Sequence, residues 1–364
     1  MKIALVAGAR PNFMKVAPII RALSKENAQC AGFEFELIHT GQHYDDRLSS
    51  IFFEQLGLPK PTANLGAGSG TQAEQTGRIM IEFERYLSAN PCDIVMVVGD
   101  VNSTMACAIV AKKNNTRVAH VEAGIRSFDL AMPEEINRMV TDSITDYFFT
   151  TSEVANQNLI KTGIDASRIF FVGNTMIDTL LHSIPLAKKP TLWDSAALQE
   201  HMYMVLTLHR PSNVDDPRIL KDWLQVVDSL GLPVVFPVHP RTRKAFGPMQ
   251  LEFKNIVACE PLSYLEFIFL LKSAKAVITD SGGVQEETTV LGVPCITLRT
   301  TTERPETVTM GTNVLMGSDP ERLKKSIPSS LALKQSVVPP LWDGRAAERI
   351  VDVLVQISKL GANA

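Results

Sequence analysis

Cysteine is sparse and scattered. The five residues (Cys30, Cys92, Cys107, Cys259, Cys295) are odd in number and form no CxxC pair. That argues against a disulfide scaffold or a zinc site and fits a reducing cytoplasm. Long apolar runs are also missing, and none approaches the roughly 20 residues that a membrane span needs. The N-terminal MKIALVAGARP is apolar only briefly, and Arg10 and Pro11 end it too early for a secretory signal. Neither sign of charge dominates: 36 basic residues face 39 acidic ones, net −3, which excludes a nucleic-acid surface as a first expectation. Low-complexity tracts, short repeats and metal-ligand spacings are absent, so no metal is expected. What remains is a chain of 364 residues, 45% apolar and 21% charged. That is the profile of a soluble globular protein with room for two domains, or one large one.

Short β-branched runs alternate with helical stretches almost throughout. KIALVAG, FEFELIHTG, DIVMVVGD, RVAHVE, DYFFTT and RIFFVG read as strands in the first half. They show little polar alternation, as expected of parallel strands buried on both faces. Residues 182–201 hold two prolines and no strand signal and read as a connection between domains. The alternation then resumes with YMVLTLH, PVVFPVH, NIVACE, KAVITD, VPCITL and TNVLMG. The expected fold is α/β, with two Rossmann-like doubly wound domains facing a cleft into which strand carboxyl ends open. The last helical stretch, with Ile350, Val351, Leu354 and Ile357 on one face, could pack on either half.

Polar residues gather where these strands end. His120–Arg138 runs from a strand end through an irregular loop into a helix opened by Pro133, and carries Glu122, Arg126, Asp129, Glu134 and Arg138 around Gly124. Arg10 and Lys15 bracket the start of the first helix, where the macrodipole disfavours cations, so both are expected to project toward a polyanion. Thr40, Gln42 and His43 close the second strand, and Asp100 the third; Asp100 followed by Val-Asn-Ser-Thr also reads as an N-cap. In the second half, Ser281, Gly282 and Gly283 lie between a strand and a helix, a geometry that cradles a diphosphate. The run is not GxGxxG, so SGG alone is a weak signal. Glu286 and Glu287 fall in the first turn, either as dipole-stabilising surface acids or, for Glu287, as an acceptor for a ribose diol. Arg304 can reach a diphosphate with its planar fork, or pair at the surface with Glu303 or Glu306. His209 and His239 end two strands, and Arg210 follows the first. Asp100, Glu122 and Glu134, brought together away from water, would push one another's pKa values apart, which suits proton transfer at carbon.

These residues resemble the non-hydrolysing UDP-N-acetylglucosamine 2-epimerases. The matching stretches are GARPNFMKVAPI, TGQHYD, VVGDVNST, HVEAGIRSFDLAMPEEINR, VGNTMIDTL, LTLHRPSNV, FPVHPRTRK, TDSGGVQEET and TTERPETVTMGTN, in that order. The resemblance implies a glycosyltransferase-B architecture: a first domain over 1–181, a UDP-binding second domain over 182–345, and a last helix, about 346–364, packing back on the first. It implies reversible conversion of UDP-GlcNAc to UDP-ManNAc without NAD or metal, supplying cell-surface polysaccharide precursors. The family route eliminates UDP to a 2-acetamidoglucal and adds it back. Asp100, Glu122 and Glu134 become the proton handlers, with no assignment of faces, and His209 acts near the leaving group. Arg10, Lys15, Arg304 and the Ser281–Gly282–Gly283 turn hold UDP; His43, Arg138, Phe267 and Glu287 complete the substrate-binding set, with Arg138 steadying Glu134. A cytoplasmic homodimer is the family expectation. One stretch departs: many members read HRRE where this chain reads HRPSN, in a region through which some members bind a second, activating UDP-GlcNAc. Close relatives act instead on UDP-2,3-diacetamido uronic acids. The rivals are a glycosyltransferase of the same architecture, a UDP-sugar-binding module without chemistry, and a hydrolysing epimerase.

Overall fold

The computed structural model describes residues 1–30, 32–42, 53–247, 252–330 and 336–362. The chain divides into two units, Met1–Thr179 with Pro340–Ala364, and Leu180–Pro339. Each is built on one parallel sheet.

The first unit's sheet has seven strands in the order β3-β2-β1-β4-β5-β6-β7. They are β1 (Lys2–Ala7), β2 (Glu34–His39), β3 (Ala63–Asn64), β4 (Ile94–Val98), β5 (Arg117–Val121), β6 (Tyr147–Thr150) and β7 (Ile169–Phe171). All pairings are parallel. Central strands such as IVMVV are buried along their whole length, because helices cover both faces. Strand order reverses between β1 and β4, so the loops after these strands diverge and leave a crevice at their carboxyl ends. The two-residue β3 has no apolar run to announce it, and sequence reading passes over it; it pairs with Ile38 and His39 of β2 at the edge of the sheet.

The second unit repeats the plan in six strands, β10-β9-β8-β11-β12-β13. These are β8 (Met204–Thr207), β9 (Val234–Pro237), β10 (Ile256–Cys259), β11 (Ala276–Thr279), β12 (Cys295–Thr297) and β13 (Asn313–Leu315). Its reversal lies between β8 and β11. One face packs Trp223, Leu224, Phe236, Ile278 and Ile296 into a continuous core. Residues 182–201 are more than a connection. Leu198 is buried with Tyr203 and Val205, and the Trp193 ring meets Tyr203 and Phe269 edge-on at 5.4 and 5.2 Å. Apolar side chains among the prolines, Trp193 and Leu198 foremost, explain why this segment packs.

The last helix, Ala346–Ala362, belongs to the first unit and buries Ile350, Val351, Leu354 and Ile357. Its first amides, Ala346 and Ala347, donate to the Asp178 carboxylate at 3.1 and 2.7 Å. An acid at a helix N-terminus satisfies orphan donors and the dipole together.

Candidate active site

In the first unit the switch point is tied together by side chains. Asn12 accepts from the Gly8 and Ala9 amides at 3.2 and 3.0 Å and donates to the Val98 carbonyl at 2.9 Å, joining the ends of β1 and β4. Gly8 has no substitute here, since a Cβ would stand 2.0 Å from Ser103 Oγ. The helix Arg10–Cys30 starts at once. Arg10 lies exposed at its first position, whereas Lys15 is buried and turned inward. Lys15 Nζ donates to Glu122 Oε2 at 2.5 Å. Lys15, expected to project toward a ligand, is thus engaged by a carboxylate.

Glu122 follows β5 and is buried, with φ of +70°, a left-handed conformation unusual for a residue with a Cβ. Such backbone strain persists only where surroundings over-determine it, and it gathers at functional sites. Gly99 makes the room: at φ +69°, a Cβ there would meet Lys15 Nζ at 3.0 Å and Glu122 Oε2 at 3.7 Å.

Asp100 is not an N-cap. The helix Asn102–Lys113 is capped by Val101 without a side-chain bond, and the Asp100 carboxylate accepts from Arg138 Nη2 at 2.5 Å. Arg138 Nη1 donates to Glu135 at 2.7 Å, and Glu135 also accepts from the Ser127 and Phe128 amides at 2.9 and 3.0 Å. Burial opposes the Glu135 charge, but these donors hold its carboxyl below the usual range. The acid steadied by Arg138 at i, i+3 is thus Glu135; Glu134, the expected partner, lies half-buried in the same first turn. Asp100 pairs with Arg138, and Glu122 with Lys15.

In the second unit, His209 follows β8 and Asp280 follows the adjacent β11. Asp280 is fully buried. It accepts from His209 Nδ1 at 2.8 Å, from the His209 and Arg210 amides at 3.1 and 2.9 Å, and from Asn213 Nδ2 at 3.1 Å. Burial works against its charge, yet the bonds from His209, Arg210 and Asn213 outweigh it and hold the carboxyl below the usual range. Sequence reading missed Asp280; its only signal was position, an acid ending a strand just before SGG. His239 serves its own helix. Its Nδ1 accepts from the Arg241 amide at 3.1 Å and caps Pro240–Phe246, with its ring 5.6 Å from that of His209.

The turn after β11 leads into the helix Gly282–Leu291, with Ser281, Gly282 and Gly283 partly exposed. A Cβ on Gly282 would meet nothing within 4 Å, so no neighbouring group crowds the turn at that position. Glu286 and Glu287 fall in the second turn and are buried, which removes the reading as surface acids. Arg304 is buried and donates through Nε to Glu286; Glu303 and Glu306 are buried beside it rather than at the surface, and Glu303 takes both arms of Arg299 at 2.7 Å. Glu287 accepts from the Tyr264 hydroxyl at 2.9 Å. Burial pushes its carboxyl up to about 7, with Glu286 adding to the rise and Tyr264 opposing it. Phe267 packs on the core one turn along from Tyr264. His43 lies outside the described residues. Among the described residues no group of three or more His, Cys, Asp or Glu is placed to hold a metal, and no helix is long and apolar enough to cross a membrane.

Two parallel α/β units with polar switch points define a nucleotide-type α/β protein. The comparisons make it specific. Residues 25–355 match the family model described as UDP-N-acetylglucosamine 2-epimerase, and the chain belongs to that family. It is 44% identical to the UDP-N-acetylglucosamine 2-epimerase of Methanocaldococcus jannaschii, over 97% of this chain and 99% of the relative. It is 38% identical to the UDP-2,3-diacetamido-2,3-dideoxy-D-glucuronate 2-epimerase of Pseudomonas aeruginosa, over 98% and 100% of the two chains. The fold matches the crystal structure of the M. jannaschii enzyme in complex with UDP-GlcNAc and UDP, with TM-score 0.89, 43% identity, and coverage of 98% of this chain and 100% of that one.

Proposed function

We propose that this protein interconverts UDP-GlcNAc and UDP-ManNAc at C2 without net hydrolysis. The second unit binds UDP and the first supplies the proton-handling groups. The observation that carries this reading is the pair Asp100 and Glu122: two carboxylates at one switch point, each aimed by its own cation. A C2 inversion needs a proton removed on one face and returned on the other, hence two handlers. A base takes the C2 proton while the C1–O bond breaks, and UDP leaves with that electron pair. The 2-acetamidoglucal keeps the C1–C2 double bond. Re-addition of UDP at C1 and of a proton at the opposite face of C2 completes the cycle, with Glu134 at the same helix start as a further proton handler. UDP must be held between the two halves of the reaction; Arg10, Arg304 and the amides at Ser281–Gly283 supply the charge complement, and Glu287 and Phe267 hold the nucleoside. His209, aimed by Asp280, acts at the leaving phosphate. The working form in this reading is a cytoplasmic homodimer.

Proton NMR of UDP-GlcNAc with the protein in deuterium oxide tests it. Deuterium at C2 and growth of UDP-ManNAc with little free UDP is the expected result; accumulation of UDP and free ManNAc would make the enzyme hydrolysing. Asp100→Asn and Glu122→Gln should keep UDP affinity and lose turnover, and equal losses of both would sink the assignment. The likeness to the P. aeruginosa enzyme favours a second substrate reading. If UDP-GlcNAc does not exchange, a UDP-2,3-diacetamido uronic acid in the same assay decides it.

A further inference from the structure

The turn that carries Asp100 is pinned at every carbonyl by a side chain from elsewhere. The Val98 carbonyl accepts from Asn12 Nδ2 at 2.9 Å and Thr104 Oγ1 at 2.8 Å, and the Asp100 carbonyl accepts from Asn137 Nδ2 at 2.9 Å. Between them, the Gly99 carbonyl lies 2.8 Å from His120 Nε2. His120 is fully buried near the end of β5, two residues before Glu122. Its other nitrogen, Nδ1, lies 2.7 Å from Asp142 Oδ1.

Both ring partners are acceptors. A peptide carbonyl can only accept. Asp142 is held ionised below the usual range: burial opposes its charge, but the bonds and charges of His120 and Arg126 prevail. Its second oxygen already takes Arg126 Nη1 at 2.6 Å and the Gly124 amide at 3.1 Å. A neutral imidazole has one donor and one acceptor and would face one of these oxygens with a lone pair. Donation from both nitrogens would satisfy both oxygens, and Arg126 extends the contact beyond Asp142 beneath the turn.

We propose that His120 is a positioning residue for the epimerisation: donating from both nitrogens, it links Asp142 to the Gly99 carbonyl and fixes the turn from which Asp100 reaches its substrate. This rests on the reading in which Asp100 handles the C2 proton. The Gly99 peptide is the one whose geometry also sets the space around Lys15 and Glu122, so a loosened turn displaces both carboxylates. A shift of about 1 Å in a catalytic group costs on the order of 100-fold in rate.

Two substitutions separate positioning from packing. Gln at 120 can place its amide NH₂ where Nε2 stands and keep the Gly99 bond. Asn is shorter; its amide matches Nδ1, keeps Asp142 and releases Gly99. His120→Asn should lower kcat by about 100-fold with UDP affinity and KM changed less than about threefold, while His120→Gln stays within about tenfold of the parent. Equal kcat losses in the two variants, or no loss in folded His120→Asn, overturn the proposal. A second arm needs no turnover. Long-range ¹H–¹⁵N spectra of the parent protein, with His120 assigned by its loss in His120→Gln, should show both of its ring nitrogens bearing hydrogen at neutral pH. A bare nitrogen on that ring refutes the double donation. If no epimerase activity is found, the spectrum still decides the ring's state, so failure of the functional reading and failure of the double donation register separately.

Discussion

His209 Nδ1 lies 2.8 Å from Asp280 Oδ1, and the same carboxylate accepts the backbone amides of His209 and Arg210. One buried acid thus fixes a histidine's main chain and its ring. Nδ1 is engaged by Asp280, while the side chain as a whole is partly exposed, and in the proposed function Nε2 is the atom that meets the ligand. Asp280→Asn keeps the shape and removes the charge. It should lower kcat by roughly 10- to 100-fold, the scale of misaligned catalytic groups, with a smaller change in UDP affinity. Isothermal titration with UDP beside steady-state kinetics measures both. A loss confined to UDP affinity would give Asp280 a role in binding only.

Lys15 and Glu122 make the strongest test of whether a site pair also holds the fold. Both side chains are at least nine-tenths buried. Removing one partner of such a pair costs about 3 to 5 kcal/mol, whereas replacing both by neutral groups can be near neutral. Lys15→Met should therefore destabilise by about 3 kcal/mol in urea unfolding, and Lys15→Met with Glu122→Gln should recover most of that. Turnover should stay lost in the double variant. Recovery of both stability and turnover would remove Glu122 from the chemistry.

The strands are legible for a plain reason. A parallel strand covered on both faces admits little but apolar residues, and IVMVV or KIALVA can be little else. Polar residues at the ends of such runs stand out as anomalies, which is how Arg10, Asp100, Glu122 and His209 come to notice. Their partners are not legible. Asp280 and His209 are 71 residues apart, and only the order β8-β11 makes them neighbours. His120 and Asp142 look like an ordinary strand and helix residue. Glu134 and Glu135 differ by one position in helical phase; burial of Glu135, where two loop amides meet it, decides which one Arg138 holds.

Gly99 offers a way to separate backbone strain from crowding at the site. Gly99 and Gly231 both adopt positive φ, +69° and +76°. A Cβ at 231 meets nothing within 4 Å, but at 99 it meets Lys15 Nζ at 3.0 Å. Alanine at either position incurs the left-handed cost of about 1 to 2 kcal/mol. Only Gly99→Ala should also lose turnover, by an order of magnitude or more, because it displaces the Lys15–Glu122 pair. Thermal melts and kinetics on both variants check this; full activity in folded Gly99→Ala would show that the pair tolerates displacement.

The pH dependence of stability should carry the mark of two buried acids in the second unit. Glu306 is buried, and its carboxyl is pushed up to about 7 by burial, opposed by its own amide and by Arg304 and assisted by Glu286. Glu287 is likewise raised to about 7. A carboxyl whose folded pKa lies above its unfolded value binds more protons folded than unfolded. The unfolded chain ionises first, so stability falls as pH rises from about 4.5 to about 7 and levels off above. A shift of that size corresponds to roughly 3 kcal/mol for Glu306. Glu306→Gln removes its share, and its stability between pH 5 and 8 should decline less steeply than the parent's. Urea midpoints across that range measure the slope. Parallel curves for parent and variant would mean that Glu306 ionises as readily folded as unfolded, and that the site is wetter than its burial implies.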